Sequence, residues 1–276
     1  FAGVSSSNEL SSQYNVRGGN FDENIVYVNG VEIYRPLLVR AGQQEGLSFI
    51  NPDMVKNVAF SAGGFDAKYG DKMSSVLDIN YKKPIQFEAT AAVSLLGASA
   101  YLGTAGKRFT QMHGIRYKTS ASLLGTLDTK GEYSPAFLDY QTYLTYQLKP
   151  KWDITFLGNF SQNSYQFIPQ NRETAFGTYT TVRKLKIYFD GQEKDLFRTA
   201  FGAFTLNYKP IEGMKLSLLA SAFHNNESEN YDILGEYVLS DVNTDLDAQA
   251  QTGEVLGVGK YQQHARNTLN ATVANI

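Results

Sequence analysis

Trp152-Asp153-Ile154-Thr155-Phe156-Leu157-Gly158-Asn159-Phe160-Ser161 decides the fold. Its even positions are Trp, Ile, Phe, Gly and Phe; its odd positions are Asp, Thr, Leu, Asn and Ser. A period of two is the signature of a β-strand whose two faces meet different surroundings. The pattern continues in both directions. Tyr140, Leu144, Tyr146 and Leu148 alternate with Asp139, Gln141, Thr145 and Gln147, and Met214, Leu216, Leu218, Ala220 and Ala222 with Lys215, Ser217 and Ser221. Phe87–Leu95, Ile115–Leu123 and Ala265–Val273 repeat it. We expect strands at 87–96, 98–106, 110–125, 138–148, 152–163, 197–208, 214–224 and 263–276. At roughly ten residues each, tilted strands of this kind cross a bilayer.

The connections fall into two kinds. Gly106-Lys107-Arg108, Lys149-Pro150-Lys151 and Pro210-Ile211-Glu212-Gly213 are tight, whereas Thr126–Phe137, Tyr165–Asp195 and Asn225–Gln262 read as long outer loops. Outer-membrane barrels have this asymmetry, and Tyr146, Trp152 and Tyr208 beside the tight turns fit an aromatic girdle. A soluble β-sandwich also alternates, but its strands average about five or six residues and long loops are unusual in it.

Composition agrees with an all-β wall. The 276 residues hold 18 Tyr, 17 Phe and 24 Gly but no Cys, which removes thiol catalysis and Cys-based zinc sites. Lys and Arg number 25 against 27 Asp and Glu, a net charge of −2 without the basic excess a nucleic-acid partner calls for. No stretch is apolar for long enough to be a spanning helix. The chain opens Phe1-Ala2-Gly3, which we read as a processed or truncated product.

Residues 1–84 have a different grammar. Ile25–Val28 and Val31–Ile33 flank Asn29-Gly30, a type I′ hairpin signal. Asn51-Pro52-Asp53 reads as a short helix start with Asn51 as N-cap. Val58–Ala62 reads extended, Gly63-Gly64 breaks the chain, and Val76–Tyr81 is a last strand stopped at Lys82-Lys83-Pro84. Eight strands close a barrel that side chains alone fill. So these residues lie outside such a barrel, or the strands belong to a larger one.

Tyr14-Asn15-Val16-Arg17-Gly18-Gly19 and Ile25–Val31 resemble the first half of the plug signature of TonB-dependent outer-membrane receptors. Ile50–Val58, Gly63-Gly64-Phe65-Asp66-Ala67-Lys68-Tyr69-Gly70 and Ser75–Ile79 are similar to the second half, in the same order. Asn29 stands where the family often has Asp, and Ser74-Ser75 where it has a glycine pair. The resemblance implies an α+β plug domain over residues 1–84, followed over 85–276 by the first antiparallel transmembrane β-barrel strands. It also implies that this is a fragment of a larger plugged barrel of about 22 strands, the TonB-binding box lying before Phe1. Its motif residues would be Arg17, Gly18, Gly19, Asn29, Gly30, Tyr69 and Gly70, with Arg17, Asp66 and Lys68 as plug–barrel contacts.

The function implied is import of a scarce or bulky nutrient (chelated metal, cobalamin-like molecule, glycan or peptide) across the outer membrane of a Gram-negative bacterium. A TonB-type energy-transducing protein would displace the plug without covalent chemistry, so neither an enzyme nor a cofactor is expected. Two alternatives stand beside it: an interaction subunit docked to a surface lipoprotein or secretion complex, and a soluble β-rich binding protein. Little else in the sequence carries chemistry. His113, His224 and His264 are expected as hydrogen-bonded wall residues, His264 in a lumen-facing set. Gly63-Gly64 lacks the Lys-Ser/Thr ending of a P-loop. Asn243, Asp245, Asp247, Gln249, Gln251 and Glu254 have calcium-loop spacing, but Ala248 stands where that turn needs Gly. An acidic solvated loop is the better reading. The aromatics Tyr165, Phe167, Phe176, Tyr179, Tyr188 and Phe189 suit loop packing or contact with a sugar or peptide.

Overall fold

A computed structural model of the chain describes residues 3–5, 14–34, 48–70, 73–119, 131–178, 181–242 and 252–276. Strands β1 (Val4–Ser5) and β2 (Asn15–Val16) pair in a small ladder. β3 (Asn24–Val28) and β4 (Val31–Glu32) form a hairpin through Asn29 and Gly30, whose φ values of 51° and 79° give the left-handed pair a type I′ turn requires. Asn29 also ties the turn to the sheet, its Oδ1 accepting from the Tyr81 N–H at 2.9 Å.

Asn51 caps a single 3-10 turn at Pro52–Met54, its side chain accepting from the Asp53 N–H at 3.1 Å. β5 (Val55–Ser61) and β6 (Ser75–Tyr81) complete a four-stranded sheet in the order β4-β3-β6-β5, with β3 parallel to β6. Alternation buries Val26, Val28, Ile79 and Tyr81. The helical elements among the described residues are this turn and another at Phe21–Glu23.

From Glu88 onward the chain is an antiparallel meander. Its strands are β7 (Glu88–Ser94), β8 (Gly97–Ala105), β9 (Phe109–Thr119), β10 (Gly131–Tyr133), β11 (Ala136–Lys149), β12 (Trp152–Pro169), β13 (Arg172–Gly177), β14 (Val182–Tyr208), β15 (Leu216–Val242) and β16 (Thr252–Asn275). The order is β7-β8-β9-β11-β12-β14-β15-β16, with β10 on β12 and β13 on β14.

Two expected loops are corrected. Much of Tyr165–Asp195 and Asn225–Gln262 is strand, and β14 and β15 each run 27 residues in register with one another. The apolar alternation stops near Thr199 while the hydrogen-bonded ladder does not. Backbone pairing is indifferent to side-chain polarity, so hydropathy gives no sign of the continuation. Of the calcium-like spacing from Asn243 to Glu254, all but Glu254, which falls in β16, lies outside the described residues, as does the aromatic Tyr179.

Register separates the two faces of the meander. Gln141, Asn159 and Phe201 share one row, Tyr143, Leu157 and Ala203 the next, all buried toward the first sheet. The opposite face carries Tyr140, Tyr146, Phe160, Phe204 and Leu218, all exposed. This apolar band ends at a polar row, where Arg198 Nε donates to Gln162 at 3.0 Å and Asn226 to Asn270 at 2.5 Å. From Trp152 to that row, at about 3.3 Å per residue and about 40° of tilt, the band is about 25 Å tall. At its lower edge Trp152 stacks on Tyr208, ring centroids 4.3 Å apart.

The three histidines stand on the outer face, bonded to Tyr140, Thr272 and Asp232. His264 is thereby corrected from a lumen-facing to an outward position. Val273 packs inward beside Phe223, which turns the odd positions of β16 in and His264 out.

Candidate functional site

The first sheet meets the wall along one seam. Cross-strand register sets Arg116 of β9 opposite Asp139 of β11, both facing inward and buried. Arg116 donates to Asp139 Oδ2 through Nε at 2.9 Å and Nη2 at 2.6 Å. The remaining guanidinium hydrogens reach three consecutive backbone carbonyls ahead of the Asn51 cap: Ser48 at 2.8 Å, Phe49 at 3.3 Å and Ile50 at 2.7 Å. Asn159 holds the other oxygen of Asp139 at 2.6 Å. A planar fork with five donors suits this task, since a lysine could not serve a carboxylate and three carbonyls at once.

Beside this pair runs a neutral chain. The Tyr81 hydroxyl donates to Gln141 Oε1 at 2.7 Å, and Gln141 Nε2 donates to the Phe49 carbonyl. Burial pushes the Tyr81 hydroxyl well above its ordinary value, so it remains a protonated donor. Apolar contacts fill the rest. Phe49 meets Phe201 edge-on with ring centroids 5.9 Å apart, and Tyr81 meets Tyr143 at 6.3 Å. Met54 and Met112 are fully buried in the same core, which runs continuously from Val26 to Phe223. Gly114 allows the close approach: a Cβ there would stand 2.3 Å from Asn51 Nδ2 and 3.3 Å from Met54 Sδ.

The residues singled out from sequence lie elsewhere on the first sheet's segment. Arg17 has φ of 50° in the turn before Gly18, at 83°, and its side chain lies beside Gly3 and Gly63. Gly19 sits where a Cβ would collide with Ser74. Tyr69 donates to Asp78 at 2.6 Å and its ring lies tilted against Tyr27, while Gly70 follows it on the surface. Asp66 and Lys68 form a 3.8 Å ion pair with each other, at 78% and 62% side-chain exposure. Among the described residues, these contacts stay within the first sheet's own segment. The seam residues Arg116, Asp139 and Gln141 were missed. Their signal was a charged and an amide group on the polar side of otherwise ordinary strands, placed together only by register.

Higher on the inner face, above the polar row, Asp195 lies opposite Glu229 and two positions from Glu193. Burial first, then those two charges, push Asp195 up to about 7. Further along, Leu185, Ile187, Phe189, Gly235, Tyr237 and Tyr261 line an apolar hollow of about 370 Å³. Arg172 covers Phe189 there, 5.5 Å from its ring centre.

Residues 1–76 match the family described as the TonB-dependent Receptor Plug Domain. No curated protein matches the chain. Solved structures similar to it include the ferric enterobactin receptor PfeA from Pseudomonas aeruginosa, at 14% identity and a TM-score of 0.42, covering 94% of this chain and 50% of that one. The siderophore receptor PirA from Acinetobacter baumannii is similar at 14% identity and 0.40, covering 90% and 46%. The FrpB iron transporter from Neisseria meningitidis is similar at 10% and 0.42, covering 98% and 55%. The chain thus spans about half the length of the solved structures it matches.

Proposed function

Taking residues 1–76 as the plug of a TonB-dependent receptor, we propose that β7 to β16 are wall strands of an outer-membrane barrel in a Gram-negative bacterium. The division falls at Pro84, with the plug on 1–84 and wall on 85–276. The receptor imports a scarce or bulky nutrient when a TonB-type protein draws the plug out of its seat. The band about 25 Å tall between the Trp152–Tyr208 stack and the Gln162 row supports placement in a bilayer.

The observation that carries this reading is the seam. A plug that must move has to be held by a joint that can open without breaking the fold on either side. Arg116 grips three carbonyls in a connecting segment, leaving the ladder of the plug's own sheet out of the joint. Arg17, Asp66 and Lys68 are in this view secondary to it.

The test needs no knowledge of the nutrient. In the full receptor, Asn51→Cys places a thiol at a position 1% exposed. Its labelling by a maleimide in living cells should rise when TonB is present and the inner membrane is energised. Adding Gly114→Cys places a second thiol against the first, and oxidation should abolish the rise. Equal labelling with and without TonB would remove the transporter reading and leave an interaction subunit.

A further inference from the structure

Below the seam the plug and wall part. A cavity of about 650 Å³ runs from Tyr81 and Tyr143 down to Asn207, near the short-turn end. Lys56, Lys82 and Lys83 line it from the plug and Lys215 from the wall. Lys215 also lines an adjoining bowl of about 720 Å³, with Lys151 and Lys209. Both openings therefore share one basic mouth.

The acids at this end are outnumbered. Glu88 accepts from the Tyr101 hydroxyl, and Lys82 lies 5.3 Å from the centre of that Tyr101 ring. Asp153 is held by Asn207 at 2.7 Å and by Lys209 at 3.6 Å. Glu212, at the turn tip, is the remaining carboxylate of the bowl. Among the described residues, Lys56, Lys82, Lys83 and Lys215 have no carboxylate within ion-pair distance. Four ammonium groups thus share one cavity lining with a single carboxylate, Glu88, and the excess of like charge favours a further anion among them.

Carboxylates higher on the wall do not cancel this field. Asp195 is twelve residues from Asn207 along β14, about 40 Å at about 3.3 Å per residue. The screening length at physiological salt is about 8 Å. The two ends act separately.

We propose that this mouth is an anion-binding site on the exit path, and that the cargo carries carboxylate or phosphate groups. This rests on the transporter reading and adds the chemical class of what passes. The amide-lined walls, Asn57 and Asn80 among them, complete the hydration of such a group as it leaves.

The experiment uses the full receptor in lipid nanodiscs at low ionic strength, with citrate, pyrophosphate and spermidine titrated by calorimetry. Citrate, pyrophosphate or both should bind, and spermidine should not. Lys83→Gln with Lys215→Gln, both at exposed side chains, should weaken the anion on the order of tenfold. Lys68→Gln, an exposed plug lysine outside the cavity, should leave binding unchanged. Binding of citrate alone assigns carboxylate cargo, and of pyrophosphate alone phosphate cargo. No anion binding, equal binding of spermidine, or an unaffected double variant overturns the site. A chain that stays dispersed without detergent and never enters the nanodisc would instead sink the barrel reading beneath it.

Discussion

Arg116 and Asp139 are almost wholly removed from water, with side-chain exposures of 9% and 0%. The energetic worth of such a pair lies mainly in what its loss leaves behind. Removing one partner strands the other as a buried charge, at a cost of about 3–5 kcal/mol, whereas replacing both with apolar groups of similar volume is often neutral. Arg116→Ala in the full-length protein should therefore destabilise the seating of the first sheet by about 3–5 kcal/mol, and Arg116→Met with Asp139→Leu by clearly less than the two single changes summed. The three carbonyls lose their donor in both variants that lack Arg116. A double-mutant cycle read from denaturant unfolding measures the difference; additive single effects would refute the pairing. Asn29 is a second single-residue test. Asn29→Asp keeps the acceptor for the Tyr81 N–H and should be nearly silent. Asn29→Ala loses that bond and gives up asparagine's tolerance of left-handed backbone at φ of 51°, costing about 2 kcal/mol. Thermal melts of the two variants separate them.

The strands have one pattern below the Gln162–Arg198–Asn226–Asn270 row and another above it. Below, the outward side chains are Phe156, Phe204 and Leu218; above, they include Lys194, Asp232 and Arg266. The same β14 thus passes from an apolar to a polar outward face without leaving its ladder. Phe204→Lys should cost about 2–4 kcal/mol of folding free energy in lipid vesicles, as a cation at mid-band does. Tyr188→Lys, on the same outward face but beyond the row and opposite Glu236, should cost close to nothing. Comparable penalties at the two sites would dismiss the band. This is also where the sequence stopped being readable. Trp152–Ser161 announces a strand because its two faces differ in polarity. Val182–Leu196 is just as extended, but Lys184, Lys186 and Glu193 blur the contrast, and Gly191 with φ of 97° resembles a break.

For the molecule as a whole, proton binding is the accessible measurement. Asp195 is held up to about 7, above the ordinary carboxylate range, so the folded protein keeps this proton where the unfolded chain has lost it. Its stabilisation is full below the unfolded pKa and fades as pH rises through the folded one. The melting temperature should therefore fall between about pH 4 and 7, and Asp195→Asn should flatten that decline by a few degrees. An identical profile in the variant would show that the proton is held elsewhere. The plug was legible because its hairpin, cap and glycine turns are local: Asn29-Gly30 and Asn51-Pro52 each specify their own geometry. The seam was not, because Arg116 and Ser48 are joined by a register that no short window contains. One property of that seam reaches beyond this chain. Arg116 reads carbonyls, and every residue type supplies a carbonyl. The clasp therefore sets no side-chain requirement of its own at 48 to 50; Phe49 is fixed by its packing on Phe201 and not by Arg116, so the joint and the core beneath it can evolve on separate clocks.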